Sequence, residues 1–136
     1  EVLEDAAALC RHPFAHHVLE RALEHLPERR ARIARALSVD LLGHARHRCA
    51  SHVVEAALLH CEGETREGLA RGLQGNNGVA ILAHSQFGSY VLRGLLRLAG
   101  PASEEARRQL TEAAPDIRAS RPGQRLLRDL GIQLDA

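Results

Sequence analysis

At 136 residues and 45% hydrophobic content, the chain can hold one domain with a continuous core and no more. Aromatics make up only 2%, with no Trp and no Met, so Leu, Ala and Val must do the packing, which suits thin helical layers and argues against a β-sandwich. A net charge of +1 excludes bulk electrostatic attraction to a polyanion, so any such affinity must come from a local stripe.

In chain order, Glu1 stands where Met would, and Val2–Cys10 reads as the tail of a unit already under way. The chain is therefore expected to be a fragment or processed product. A first signature follows, Ala15-His16-His17-Val18-Leu19-Glu20, closed by Pro27; Glu28–Leu37 then continues as an Arg-rich amphipathic helix on Ile33, Ala34 and Leu37. A short linking helix is expected over Val39–Ala45. The second signature, Ala50-Ser51-His52-Val53-Val54-Glu55, ends near Gly63, with Glu64–Leu73 as the matching helix. Gly75-Asn76-Asn77-Gly78 tolerates left-handed backbone and reads as a loop. A linking helix over Val79–Ala83 leads to the third signature, Gly88-Ser89-Tyr90-Val91-Leu92-Arg93. Gly100-Pro101 is a stop, and Ser103 with Glu104 and Glu105 predicts an N-cap and acidic first turn. A last linking helix, Pro115–Ala119, precedes Gly123-Gln124-Arg125-Leu126-Leu127-Arg128. No strand pattern occurs, and the expected class is all-α.

The small residues opening the four signatures are 35, 38 and 35 positions apart. A fixed period in this range marks a solenoid, whose units bury their apolar faces by stacking on one another. The units are expected over about 1–37, 38–74 and 75–114, with a cap over 115–136. At about 100° per residue, Ala50, Val53, Val54, Ala57 and Cys61 form one apolar stripe. Gly88, Val91, Leu92, Leu95 and Ala99 do the same in the third copy, and Ala15, Val18, Leu19, Ala22 and Leu26 in the first. The last copy keeps Gly123, Leu126, Leu127 and Leu130. The packing face barely changes, while the adjoining polar face changes chemistry from copy to copy. That is the pattern of a modular reader.

These signatures resemble the repeats of the Pumilio/PUF family of RNA-binding proteins. His47-Arg48-Cys49-Ala50-Ser51-His52-Val53-Val54-Glu55 is similar to that family's penultimate repeat, and Arg121-Pro122-Gly123-Gln124-Arg125-Leu126-Leu127 to its C-terminal capping half-repeat. The 75–78 loop resembles the insertion before the family's last repeat. The resemblance covers nearly all of the chain and implies a curved α-solenoid of three-helix repeats. It also implies a second helix that presents three side chains to single-stranded RNA, in the order base edge, stacker, two spacers, base edge. The triplets are then His16/His17/Glu20, Ser51/His52/Glu55 and Ser89/Tyr90/Arg93, with His17, His52 and Tyr90 as stackers. Gln124, Arg125 and Arg128 of the cap are assigned to phosphate or terminal-base contacts.

Residues four apart on a helix lie side by side and can address one flat base together. Guanine offers two adjacent donors on its pairing edge, which the Glu55 carboxylate can accept; a Ser/Glu pair implies guanine in the family. Arg93 has only donors, and cytosine presents two acceptors; a small residue with Arg resembles the family's cytosine-selective combination. For the first triplet two alternatives stand: His16 and Glu20 favour a purine, or they pair with each other and block the site. The RNA runs antiparallel to the protein by family precedent, giving a sub-site 5′-C-G-N.

The expected function is sequence-specific RNA binding in control of mRNA translation or stability, by a monomer acting with further N-terminal repeats and with protein corepressors. Alternatives are a nucleolar PUF-like protein of low selectivity in ribosome assembly, and an armadillo/HEAT-like peptide-binding solenoid. His12 with His16, and His44 with His47, have spacings that can chelate on a helix. No His-Glu-x-x-His, phosphate loop or nucleophile elbow accompanies them, so no enzyme, cofactor or metal is expected. Cys10, Cys49 and Cys61 lack a Cys-x-x-Cys pair, and Cys61 reads as a buried hydrophobe. A reducing compartment is expected, the cytoplasm, with nucleus or nucleolus as the alternative. No stretch is apolar enough to span a membrane.

Overall fold

The computed structural model describes residues 6–132. Helix, the 3₁₀ turns included, accounts for 79% of the described residues, which contain no strand. The helices are α1 (Ala6–Leu9), α2 (His16–His25), α3 (Arg30–Leu37), α4 (Leu41–Ala45), α5 (Ala50–His60), α6 (Gly63–Gln74), α7 (Gly78–Ala83), α8 (Gln86–Arg97), α9 (Pro101–Ile117) and α10 (Arg121–Asp129). Single 3₁₀ turns at Pro27–Arg29 and Ser38–Asp40 lead into α3 and α4.

The signature helices α2, α5, α8 and α10 lie side by side in one layer, and α3, α6 and α9 form the second. The first layer is packed more closely than the second, as a stack curved around its signature helices requires. One cluster of buried Leu, Ile, Val and Ala runs through every unit, from Ala6 to Leu127. The glycine that opens the third and fourth signatures is explained by a backbone approach. A Cβ on Gly123 would come within 1.9 Å of the Ile117 carbonyl oxygen, and one on Gly88 within 2.9 Å of that of Leu82. Asn76 and Asn77 adopt φ of 54° and 64°, the left-handed turn expected of the loop.

Several expectations need correction. α1 is not the tail of a preceding unit: it packs on α2 and α3 and stands before α2 as α4 stands before α5; residues 2–5 lie outside the described residues. The Pro115–Ala119 helix is not separate, because α9 runs unbroken through Pro115. Proline there forfeits only the bond to the Thr111 carbonyl, near the helix end, while Ala114 and Ile117 remain buried. Ser103 is not an N-cap. Gly100, at φ 115°, precedes Pro101 at the first helical position, and Ser103 is buried with its hydroxyl donating to the Leu96 carbonyl at 3.1 Å.

The stripe of the second copy is buried as projected. In the first, Val18 is 53% exposed although its counterparts Val53 and Val91 are fully buried. α5 and α8 each have a signature helix on both sides, whereas α2 has one only at α5 among the described residues. Leu26 and Ala99 lie beyond the ends of α2 and α8 and are exposed, whereas Cys61, equally beyond the end of α5, is buried. Leu23, Leu58 and Leu96, in register and buried, complete the stripe instead.

Candidate nucleic-acid interface

Each signature helix begins from the same device. The Nδ1 of His12 accepts the backbone N–H groups of Phe14 and Ala15, both at 3.1 Å, and the Nδ1 of His47 accepts those of Cys49 and Ala50 at 3.0 and 3.2 Å. Ser85 and Ser120 take the same place in the later units, their hydroxyls accepting the N–H of Gly88 and Gly123 at 3.1 Å. These four positions share the period of the signatures. The device fixes where each helix starts and therefore where its polar face points. It also accounts for two of the histidines whose spacing suggested chelation, since their Nδ1 atoms are engaged.

The triplets lie on α2, α5 and α8, and of their nine residues His17, Glu20 and Glu55 share one groove. A groove of about 660 Å³ crosses these three helices, lined by His17, Glu20, Arg21, Glu55 and Arg97 among others. Its walls carry both charge signs, so the local stripe is mixed rather than basic.

In the second unit Ser51 is 1% exposed, packed at the helix start against the Arg48 carbonyl. His52 is exposed beside it, and Glu55 is a third exposed with its carboxylate 3.9 Å from His52 Nδ1, beyond hydrogen-bond reach. Among the described residues Glu55 accepts no hydrogen bond. Burial raises its pKa above the ordinary value of 4.5; His52 and Arg97 oppose that shift, and Glu20 adds to it. In the third unit Ser89 is likewise buried, donating to the Gln86 carbonyl at 2.7 Å. Arg93 lies over the Tyr90 ring at 5.5 Å and donates to Asp129 of α10 at 2.9 Å. Its Nε is buried with no partner among the described residues. Asp129 was invisible to the sequence reading because its partner lies a full unit away.

The first unit differs. His16 is 6% exposed, and its Nδ1–H donates to Glu20 Oε2 at 2.6 Å. Its ring sits 3.9 Å from that of His17 and 5.8 Å from that of His52 in the next unit, stacked on the latter at 20°. Donor atoms of His16, His17 and Glu20 lie within 4.8 Å of one another, the only such group of potential metal ligands among the described residues. Gln124, Arg125 and Arg128 are exposed on α10, with Gln124 Nε2 donating to the Arg118 carbonyl at 2.8 Å.

A two-layer solenoid of three-helix units, closed by a capping helix, defines a class of repeat proteins. Residues 6–38 and 45–71 match the family model described as the Pumilio-family RNA binding repeat. Both segments thus match the Pumilio-type repeat, which sets aside the armadillo/HEAT reading of the fold. No curated protein sequence matches the chain.

Solved structures agree on the fold. The chain is similar to PUF-8 in complex with PBE-RNA, at a TM-score of 0.84 and 15% identity over 95% of this chain and 38% of that one. It is similar to the PUM-HD domain of S. pombe Puf1 in complex with RNA, at 0.83 and 21% over 94% and 35%. For the Puf3 RNA binding domain, bound to a Cox17 RNA 3′ UTR recognition sequence, the values are 0.80 and 19% over 98% and 39%. The chain thus spans 35–39% of the length of these three chains.

Proposed function

We propose that the chain binds single-stranded RNA in a sequence-specific manner, reading bases with edge residues on α5 and α8 and stacking them on His52 and Tyr90. The observation that carries this reading is Glu55: a partly buried carboxylate, flanked by an exposed ring, that accepts no hydrogen bond among the described residues. Two adjacent donors on one rigid edge would satisfy it, and guanine supplies them. Ser51 and Ser89 sit at the floor of the face, where a small side chain lets a base approach, so discrimination rests chiefly on Glu55 and Arg93. Asp129 and the Tyr90 ring hold the Arg93 guanidinium in place, with terminal N–H donors left over for the O2 and N3 of cytosine. The readable core is 5′-C-G. Stacking contributes about 1–3 kcal/mol per base irrespective of sequence.

Two bases do not make a tight site. The protein acts as a monomer together with further repeats and recruited corepressors, in the cytoplasm, to control the translation or stability of an mRNA. RNA-bound PUF structures support the RNA partner, since PUF-8, Puf1 and Puf3 were each solved with RNA. The test is binding to oligonucleotides varied at each position. C is preferred over U opposite Arg93, and the double variant Ser89→Asn with Arg93→Gln moves the preference to U. Equal affinity of the unaltered protein for C and U removes the cytosine assignment.

A further inference from the structure

Three units share one architecture, yet only the first carries a large ring at the opening edge position, where the others have Ser51 and Ser89. That ring is almost wholly buried on a face otherwise lined by exposed stackers. It contacts the stacker of its own unit, His17, and lies parallel to that of the next, His52. The space between successive stackers is where a base would be held if this face reads RNA, and the inference rests on that reading. Meanwhile the carboxylate that would accept from a base edge accepts from His16 itself, at 2.6 Å.

We propose that His16 is a built-in surrogate base: its imidazole fills the slot between His17 and His52 and engages Glu20 Oε2, so that the first unit reads no nucleotide. A planar heterocycle with one ring N–H directed at a carboxylate supplies the ring face and one of the two donors that a guanine would present there. The nucleotide following 5′-C-G is therefore left unread. Among the described residues Glu20, unlike Glu55, already accepts a hydrogen bond, although the two glutamates occupy equivalent places in their repeats. The metal alternative is weaker, because the same 2.6 Å bond already engages two of the three donor atoms that a cation would need.

The arrangement predicts a gain of specificity on simplification. Replacing His16 with Ser, the residue of the next two units, empties the slot and frees Glu20, turning the first unit into a second guanine reader. Binding of 5′-C-G-N oligonucleotides with N as each of the four bases should differ by no more than about twofold for the unaltered protein. For His16→Ser, N = G should be favoured by about tenfold, the lower end for one bidentate base contact. Discrimination at N by the unaltered protein, or no gain for G in a variant that still selects G opposite Glu55, overturns the proposal. If neither protein selects G opposite Glu55, the RNA reading itself fails, and the surrogate-base role fails with it. Nitrogen NMR of the unaltered protein gives a check independent of the variant's folding. The His16 ring resonances should keep their hydrogen-bonded positions when RNA is added, and their release on binding would overturn the inference.

Discussion

A carboxylate drawn partly out of water with no protein donor among the described residues is a liability to the free protein, and Glu55 is in that position. Its raised pKa means the folded state holds the proton more tightly than the unfolded chain does. The corresponding stability is present at low pH and is lost as pH rises through the folded value. At neutral pH the ionised Glu55 therefore opposes folding. Glu55→Gln should raise the melting temperature of the free protein while weakening guanine selection by about 1–3 kcal/mol, because the amide offers one acceptor where the base presents two donors. Thermal melting and anisotropy of a labelled oligonucleotide measure the two effects. A variant that loses both stability and selectivity would show Glu55 to be structural. Guanine binding by the native protein should also weaken on acidification sooner than an ordinary carboxylate would allow, since protonation removes the acceptor.

Element starts are set by residues three positions before the small residue: His12, His47, Ser85 and Ser120. At His47, Nδ1 is the acceptor, so it is also the atom that takes the second proton, and protonation breaks both capping bonds. Burial first, then Arg11 and Arg48, lower the His47 pKa below 6.5. A lowered folded pKa contributes stability above the unfolded value that is lost as pH falls through the folded one. His47→Ser, copying the later units, should keep the cap and flatten the loss of stability below about pH 6.5, while His47→Ala should cost about 1 kcal/mol at pH 7. Urea denaturation at several pH values separates the two. The period and the apolar stripe were legible in the sequence because they follow from helical geometry alone. The capping histidines were not, since His12 and His47 differ in type from Ser85 and Ser120 and share only a role. The exposure of Val18 depends on which neighbours a helix has, the burial of His16 on a ring in the next unit, and the Arg93–Asp129 pair on residues 36 apart; none of these is a local property.

Across the whole molecule, the near-balanced charge constrains how RNA can be held. Arg93 is paired with Asp129, and the groove sets Glu20, Glu24 and Glu55 against Arg21 and Arg97. With the exposed Arg125 and Arg128 of α10, roughly two to four cations are placed to neutralise phosphates. At about 0.7 per contact for a single strand, the slope of log affinity against log salt should lie between roughly −1.4 and −2.8. A guanine edge on Glu55 displaces no counterion, so the preference for 5′-C-G over a sequence altered at either base should stay constant as salt rises. A shape reader of low selectivity, as in the ribosome-assembly alternative, should instead show a steep slope shared by every sequence. Titration of matched and altered oligonucleotides from 50 to 300 mM salt, a range of roughly sixfold, distinguishes them: parallel shallow lines with a fixed gap support base reading, and coincident steep lines remove it.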